Sequence, residues 1–286
     1  MFSSISTILP LLITFLLLGA VVGLMAGLIG GGGGVITVPI LIYIFTIFGY
    51  RQDVLGHLAV GTSLTVITFA ALSGAVVHIR NKAVYRNVIG AMVTLGAIGA
   101  WVGGSISVST DVELFKKIFA GLMIIIAIRL FFGKETIKDA SMDVGKSLTA
   151  EMRNKSPKIL IISGVAGFFS GLASAFFGIG GAIIMLPVAL FVLRFSAIET
   201  VAHATCLTMV SSFVGATIQL VHGLGVPNLP PFSIGYVNYA AAITMILTGS
   251  VVSRWAAGRV HKFNHEKFVR FLAAVIIVMA VWMLKG

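Results

Sequence analysis

The chain has 286 residues, of which 58% are hydrophobic and only 10% are charged. Soluble domains carry about 25% charged residues, so this composition and a mean hydropathy of +1.08 exclude a soluble globular protein and indicate a polytopic integral membrane protein. The net charge of +11 does not indicate nucleic-acid binding, because the basic residues lie in short loops between apolar runs. The single cysteine, Cys206, excludes an intramolecular disulfide, and no cysteine–histidine spacing for a metal site occurs.

Ten apolar segments follow one another, most of them close to the ~20 residues that a helix needs to cross a bilayer. They are Leu9–Ile29, Val35–Phe48, Val54–His78, Val88–Val108, Leu114–Phe132, Ile159–Phe177, Ala182–Leu193, Ala197–Val221, Phe232–Ser253 and Phe268–Leu284. The N-terminus lacks the basic region of a signal peptide, so its segment is predicted to be the first membrane helix. We expect an all-α membrane protein with a first repeat at residues 1–133, a polar cytoplasmic linker at 134–158 and a second repeat at 159–286.

A glycine-rich motif occurs once in each half. Gly23–Pro39 reads GLMAGLIGGGGGVITVP, and Gly171–Pro187 reads GLASAFFGIGGAIIMLP. A shift of 148 residues, which carries Pro39 onto Pro187, also aligns four glycines of the two motifs. A glycine cluster inside hydrocarbon breaks a helix and frees backbone N–H groups. Paired broken segments in the two halves of a membrane protein are typical of a transporter's substrate site.

Loop charges predict that the second repeat is inverted relative to the first. The loop Ile79–Asn87 contains three basic residues and no acid, whereas its counterpart His222–Pro231 contains no Lys or Arg. The next pair of loops is reversed: Ser109–Glu113 contains two acids, and Arg254–Lys267 contains four basic residues and one acid. Because basic loops face the cytoplasm, we expect equivalent loops on opposite sides of a bacterial-type inner membrane, with both termini outside.

The segment after each glycine cluster is short. Val35–Phe48 and Ala182–Leu193 would form helices of only about 21 and 18 Å, against the ~30 Å of a bilayer core. The glycine loops are therefore predicted to lie within the membrane, with the N-termini of these two helices facing each other. Free N–H groups and positive dipole ends favour a small anion. All nine acidic residues lie in loops or at segment ends, which disfavours cation transport.

The predicted substrate contacts are backbone amides of the glycine clusters and the side chains of the matching GTSL and ATCL motifs that follow them. The residues are Gly30, Gly31, Gly32, Gly33, Gly34, Thr62, Ser63, Gly178, Gly180, Gly181, Thr205 and Cys206. Each has a structural alternative, since glycines allow close helix packing and membrane hydroxyls often bond a carbonyl of their own helix. Cys206 has no evident basic partner, which favours a small packing residue over a nucleophile.

Three histidines near the membrane segments are candidates for proton coupling: His57, His78 and His203. The alternative for each is a hydrogen-bonded residue at a helix end. Gln219 is predicted to line a pore or to form an interhelical hydrogen bond, and both interpretations are open. No nucleophile–base pair is evident, so we expect no enzyme activity and no cofactor or metal.

The doubled glycine–proline motif, the GTSL that follows it and His78 resemble the TauE/SafE sulfite exporters, also known as the toluene sulfonate uptake permeases. The resemblance extends over essentially the whole chain. It implies an ion-coupled secondary transporter that moves sulfite, organosulfonates or related sulfur and carboxylate anions across the inner membrane. Gly34 aligns with Ala182, and GTSL with ATCL, so the two halves of the site are not identical.

The sequence as a whole therefore predicts a permease that moves a small anion, sulfite or an organosulfonate, by alternating access between two repeats. Its partners would be the anion, the lipid bilayer and a coupling H+ or Na+ ion, with homo-oligomerisation left open. The alternatives are a passive anion channel, a transporter of another small carboxylate or sulfur anion, and a membrane enzyme.

Overall fold

The computed structural model describes residues 5–31, 33–132, 156–259, 274 and 276–283. Its helices are α1 (Ile5–Ile29), α2 (Gly34–Ile47), α3 (Gln52–Arg80), α4 (Arg86–Val108), α5 (Val112–Phe132), α6 (Pro157–Phe177), α7 (Ala182–Pro187), α8 (Ala197–Gly223) and α9 (Tyr239–Ala257), and residues 276–283 are also helical. Six of the described helices are long and apolar enough to cross a membrane. The prediction of an all-α polytopic membrane protein is confirmed. Most of the linker, like Gly32, lies outside the described residues.

Two predicted segments differ from the structure by more than a few residues or in helix type. The ninth segment does not begin at Phe232, because a two-stranded hairpin, β1 (Ser233–Ile234) and β2 (Val237–Asn238), precedes α9. Asn238 then caps α9 by accepting a hydrogen bond from the amide of Ala241. In the seventh segment, α7 ends at Pro187 and continues as a π-helical turn, Val188–Val192.

Large apolar side chains cover the outside of the helix bundle. Trp101, Phe213 and Leu247 are each more than 60% exposed. Exposed apolar side chains in this number are expected where the solvent is lipid rather than water. The interior is instead packed by aromatic and aliphatic residues, including Phe119 of α5, which is fully buried in the hydrophobic core.

The chain reverses direction between α1 and α2. Gly33 lies close to Val22, because a methyl group at Gly33 would be 3.0 Å from the Val22 Cα atom. Leu11 near the start of α1 and Phe45 near the end of α2 line the same cavity. α1 and α2 therefore form a helical hairpin, with the glycine cluster at its tip.

The contacts of one half recur in the other half. α1 packs on α9 so closely that a methyl group at Gly23 would lie 2.4 Å from the Gly249 carbonyl oxygen. α6 packs on α4 in the same way, since a methyl group at Gly171 would lie 2.0 Å from the Gly96 carbonyl oxygen. The first helix of each half thus lies against the fourth helix of the other half, through small residues that allow backbones to approach.

The third helices of the two halves, α3 and α8, are antiparallel. Gly61 near the start of α3 faces Gln219 near the end of α8, while Gly74 near the end of α3 faces Thr205 near the start of α8. The third helices of the two halves therefore run in opposite directions. These are the contacts that inverted repeats require, and the repeat assignment itself stays a prediction.

Candidate functional site

The two glycine clusters meet in the interior between the two halves. We call the described residues Gly30, Gly31 and Gly33 glycine loop 1 and Gly178–Gly181 glycine loop 2. A methyl group at Gly34, where α2 begins, would lie 2.0 Å from the carbonyl oxygen of Gly178. One at Gly180 would lie 2.5 Å from the carbonyl oxygen of Gly31. The contact is therefore backbone against backbone, and it requires residues without side chains.

This contact explains the mismatch between Gly34 and Ala182. The Ala182 Cβ atom would lie 3.4 Å from a methyl group at Gly31, which is ordinary van der Waals contact. The second half therefore has room for the methyl group of Ala182. At Gly34 the carbonyl oxygen of Gly178 occupies that space. The two loops are thus alike in sequence but not in packing.

Positive φ angles at the loop glycines end the preceding helices. Gly30 and Gly178 have φ of 77° and 73°, and each donates its amide to the carbonyl four residues earlier, in Ala26 and Ser174 respectively. This left-handed conformation is the usual way in which a glycine terminates a helix. It also turns the carbonyl groups of Gly30 and Gly178 toward the opposite half of the protein.

Buried hydroxyls bind both of these carbonyls. Ser63 on α3 donates to Gly178 of loop 2 with an oxygen–oxygen distance of 2.9 Å. Thr208 on α8 donates to Gly30 of loop 1 at 2.8 Å. Each half therefore supplies a hydroxyl to the glycine loop of the other half. Ser63 was a predicted site residue, whereas Thr208 was missed, although it ends the ATCLT motif that aligns with GTSLT.

The remaining predicted side chains lie near the loops but bind other partners. The hydroxyl oxygen of Thr62 accepts the amide of Asn238 at 2.9 Å. Thr205 donates to the carbonyl of Val201 on its own helix at 2.7 Å, which is the structural alternative expected for a membrane threonine. Cys206 is a buried free thiol. Of the loop glycines, Gly181 packs against Leu207 of α8.

A polar network continues from loop 2 along α8. Ser211 donates to the Ser174 hydroxyl at 3.0 Å. The amide nitrogen of Gln219 donates to Ser107 at 3.1 Å, and Ser107 donates to the carbonyl of Phe176 at 3.0 Å. Of the two interpretations of Gln219, its amide thus forms the interhelical hydrogen bond. Its side-chain oxygen is buried without a hydrogen-bond partner among the described residues.

His203 lies in an aromatic cluster where α8 begins. Its Nε2 atom accepts the backbone amide of Tyr85 at 3.1 Å, and Nδ1 lies 2.7 Å from the carbonyl of Glu199. Because Nε2 accepts, Nδ1 carries the proton and donates it. The Tyr85 hydroxyl donates to the Glu199 carboxylate, and the Glu199 carboxylate also accepts the amide of Ser196 in a capping box. This geometry is that of the hydrogen-bonded helix-end histidine.

His57 and His78 lie at opposite ends of α3. The buried ring of His57 packs against Tyr236, with 5.1 Å between ring centroids. Burial raises the pKa of the Tyr236 hydroxyl, so this group stays protonated at neutral pH. Beside it, exposed Arg51 donates to the carbonyl of Pro227 at 2.8 Å. His78 is buried, and its Nε2 atom has no hydrogen-bond partner in the described part of the chain.

An apolar cavity of about 190 Å³ lies between α1, α2 and α9. Its lining includes Phe15, Phe45 and Tyr50, and none of the predicted substrate-binding residues. Asn238 lines this cavity, and its backbone amide donates to the Thr62 hydroxyl.

The comparison with known families assigns the chain. Residues 15–283 match the family model described as sulfite exporter TauE/SafE. The chain belongs to the TauE/SafE family. Its curated relatives include proteins named probable membrane transporter proteins from Haemophilus influenzae and Bacillus subtilis, each 26% identical over 93% of this chain and 95% of the relative. A similarly named protein of Methanocaldococcus jannaschii is 27% identical over 97% of this chain and 96% of the relative. No solved structure matches this TauE/SafE protein.

Family membership and the apolar helices agree in making the TauE/SafE protein an integral multi-pass membrane transporter. The sequence singled out Gln219, but it did not indicate that Ser107 is a hydrogen-bond partner of Gln219 or that Tyr85 is one of His203. Gln219 and Ser107 carry no repeated motif, and only their occurrence as polar residues in apolar runs marks them. Tyr85 lies in a loop, and its hydrogen bond to His203 on α8 is visible only in the folded protein.

Proposed function

We propose that this TauE/SafE protein is a secondary transporter for a small anion of the sulfite or organosulfonate class, and that the anion binds between the two glycine loops. One observation carries the proposal: backbone of loop 1 lies against backbone of loop 2 in the buried interior, with hydroxyls of Ser63 and Thr208 beside them. The amides of Gly30 and Gly178 already donate to their own helices. The donors proposed for an oxyanion are therefore the first amides of α2, which has no side-chain cap, and the two hydroxyls when they leave the carbonyls.

The charge distribution supports an anion. The described acidic residues, Asp53, Asp111, Glu113 and Glu199, lie within the first turns of helices or just before them. Glu199 precedes Val201, which packs against Gly30 of loop 1, but its carboxylate accepts from Tyr85 and Ser196 instead. None of the described carboxylates is hydrogen-bonded to a glycine loop, which favours a negative substrate there. The helix dipole of α2, which begins at Gly34 beside loop 2, adds a partial positive charge of about +0.5.

Alternating access fits the way in which the halves interlock. α1 packs on α9, and α6 packs on α4. Each of these pairs combines one helix from each half of the chain and leads into one of the two glycine loops. Rocking of one pair against the other would separate the two loops on one side at a time. The inner membrane of a bacterial-type cell is the proposed location, with basic loops in the cytoplasm.

A coupling ion completes the proposed mechanism. His78 is the strongest histidine candidate for H+, since its buried Nε2 atom has no hydrogen-bond partner among the described residues and is a position at which the ring could exchange a proton. His203 is weaker, because both of its nitrogens are occupied. His57 contacts Tyr236 and lies at the other end of α3. Na+ is the alternative coupling ion.

The test is radiolabelled sulfite flux into proteoliposomes that contain the full chain, with imposed pH and sodium gradients. Saturable uptake that accumulates sulfite against its gradient, and that one of the two ion gradients drives, is the expected result. Competition by taurine, sulfoacetate, sulfate and chloride then defines the substrate class. Flux that never exceeds equilibration would identify a passive channel instead. If no anion enters the proteoliposomes faster than it enters empty liposomes, the proposal is wrong.

A further inference from the structure

The hydrogen bonds of Ser63 and Thr208 connect opposite halves of the molecule. Both side chains are fully buried, and each has a single hydroxyl proton, which it gives to a carbonyl of the opposite glycine loop. Ser63 comes from the first half and holds loop 2, while Thr208 comes from the second half and holds loop 1. Separation of the loops from the third helices must break both bonds.

Thr208 lies at the junction of the two loops. Its hydroxyl donates to Gly30 of loop 1, and its methyl group is 3.1 Å from the position that a Cβ atom at Gly180 of loop 2 would occupy. Movement of either loop therefore changes the surroundings of Thr208. Ser63 lies at the junction in the same way, because it donates to the carbonyl oxygen of Gly178 in loop 2, and this oxygen also faces Gly34 at the start of α2.

We propose that Ser63 and Thr208 act as hydroxyl clamps, which donate to the loop carbonyls while the loops are closed and donate to the anion when the loops separate. This inference rests on the proposed anion-binding function and adds to it a residue, Thr208, and a coupling step. A hydroxyl has one proton, so it cannot form a full hydrogen bond to a carbonyl and to an anion at the same time. Because hydrogen bonds to charged acceptors are stronger than those to neutral ones, an anion displaces the carbonyls and releases both loops.

The two clamps occupy different positions of the repeated motif, and this difference has a chemical reason. Ser63 aligns with Cys206, and a thiol is a weak hydrogen-bond donor. The second half instead uses Thr208, two residues later, as its donor. Thr65, the residue that aligns with Thr208, donates to the carbonyl of Gly61 on its own helix at 2.8 Å. Thr65 is therefore a matched control that has the same side chain but no clamp bond.

The experiment compares Ser63→Ala, Thr208→Val, Thr208→Ser and Thr65→Val in the full chain. Sulfite flux in proteoliposomes gives KM and the maximal rate. We expect KM to rise about tenfold or more for Ser63→Ala and Thr208→Val, as for the loss of a hydrogen bond to a charged group. Thr208→Ser keeps the hydroxyl and Thr65→Val keeps both clamps, so both are expected to stay within about twofold of the wild-type KM.

Amide hydrogen exchange measured by mass spectrometry tests the clamps without any substrate. Ser63→Ala should accelerate exchange around Gly178, and Thr208→Val around Gly30, so each variant affects the loop of the opposite half. Thr65→Val should affect neither loop. Monodisperse elution in detergent checks that each variant is folded, and Thr208→Ser provides a folded comparison if Thr208→Val is not.

The outcomes separate the two proposals. If the wild-type protein moves no anion, the proposed function fails, and exchange alone then decides whether the clamps exist. If transport is intact but Ser63→Ala and Thr208→Val retain the wild-type KM, the hydroxyls do not bind the anion and the coupling step is wrong. If exchange changes only in the helix that carries the substitution, there are no clamps between the halves.

Discussion

Gly34 is the residue at which the contact between the two loops is least tolerant of a side chain. The carbonyl oxygen of Gly178 would lie 2.0 Å from a methyl group there. We expect Gly34→Ala to push the start of α2 away from loop 2 and to reduce sulfite uptake at least tenfold while the protein still inserts and elutes as a single species, because the strain is confined to the loop contact. Proteoliposome flux at equal reconstituted protein is the measurement.

Gly90 is the matched control for Gly34→Ala. It lies in α4, where a methyl group would meet nothing within 4 Å, so Gly90→Ala should leave uptake unchanged and slightly favour the helix. Wild-type flux in Gly34→Ala would show that the closed loop contact is not needed for transport.

Part of the site was predictable at this scale and part was not. The structure brings the loop glycines and Ser63 together, and the sequence singled them out because repetition of rare residue types at one register marks them; their role as substrate contacts stays a prediction. Thr208 was missed because the motif alignment pointed to Thr205 and Cys206. Thr205 and Thr208 are three residues apart and lie on nearly the same face of α8, about one turn apart along the helix. Thr205 donates to Val201 of its own helix and Thr208 donates to Gly30, a choice that the sequence motif does not specify.

Among the helices, the α4–α6 contact has the tightest backbone approach. A methyl group at Gly171 would lie 2.0 Å from the Gly96 carbonyl oxygen. We therefore expect Gly171→Leu to abolish folding, seen as aggregation on size-exclusion chromatography in detergent, because the helices cannot separate without exposing the small-residue interface. Gly121→Leu on α5, which meets nothing within 4 Å, is the control and should remain monodisperse. A monodisperse Gly171→Leu protein would contradict the packing.

Helix bounds were predicted within a few residues, since apolar runs in a membrane protein end where the polar surface begins. The sequence did not reveal the hairpin before α9, because Phe232–Val237 is as apolar as a membrane helix. Its turn depends on Gly235, which has a φ of 55° and lies against the Leu220 carbonyl of α8. Similarly, the π-helical turn after Pro187 reflects a local hydrogen-bond pattern that apolar composition cannot encode.

At the scale of the whole molecule, the antiparallel packing of α3 and α8 makes a topology experiment decisive. Asn81 caps the C-terminus of α3, and Leu224 caps that of α8. Both residues are exposed, so cysteine at either position should react with a maleimide that cannot cross membranes. The background is Cys206→Ser, because Cys206 is the only native cysteine.

We expect Leu224→Cys to be labelled in intact cells and Asn81→Cys only after the membrane is permeabilised. The reason is electrostatic: Asn81 lies between Arg80 and Lys82, and basic loops stay in the cytoplasm, whereas the loop after Leu224 contains no Lys or Arg before Pro231. Labelling of both variants from one side would mean that α3 and α8 end on the same side, which antiparallel spanning helices cannot do. Opposite labelling would place glycine loop 1 and glycine loop 2 on hairpins that enter from opposite faces, the arrangement that alternating access between two inverted halves requires.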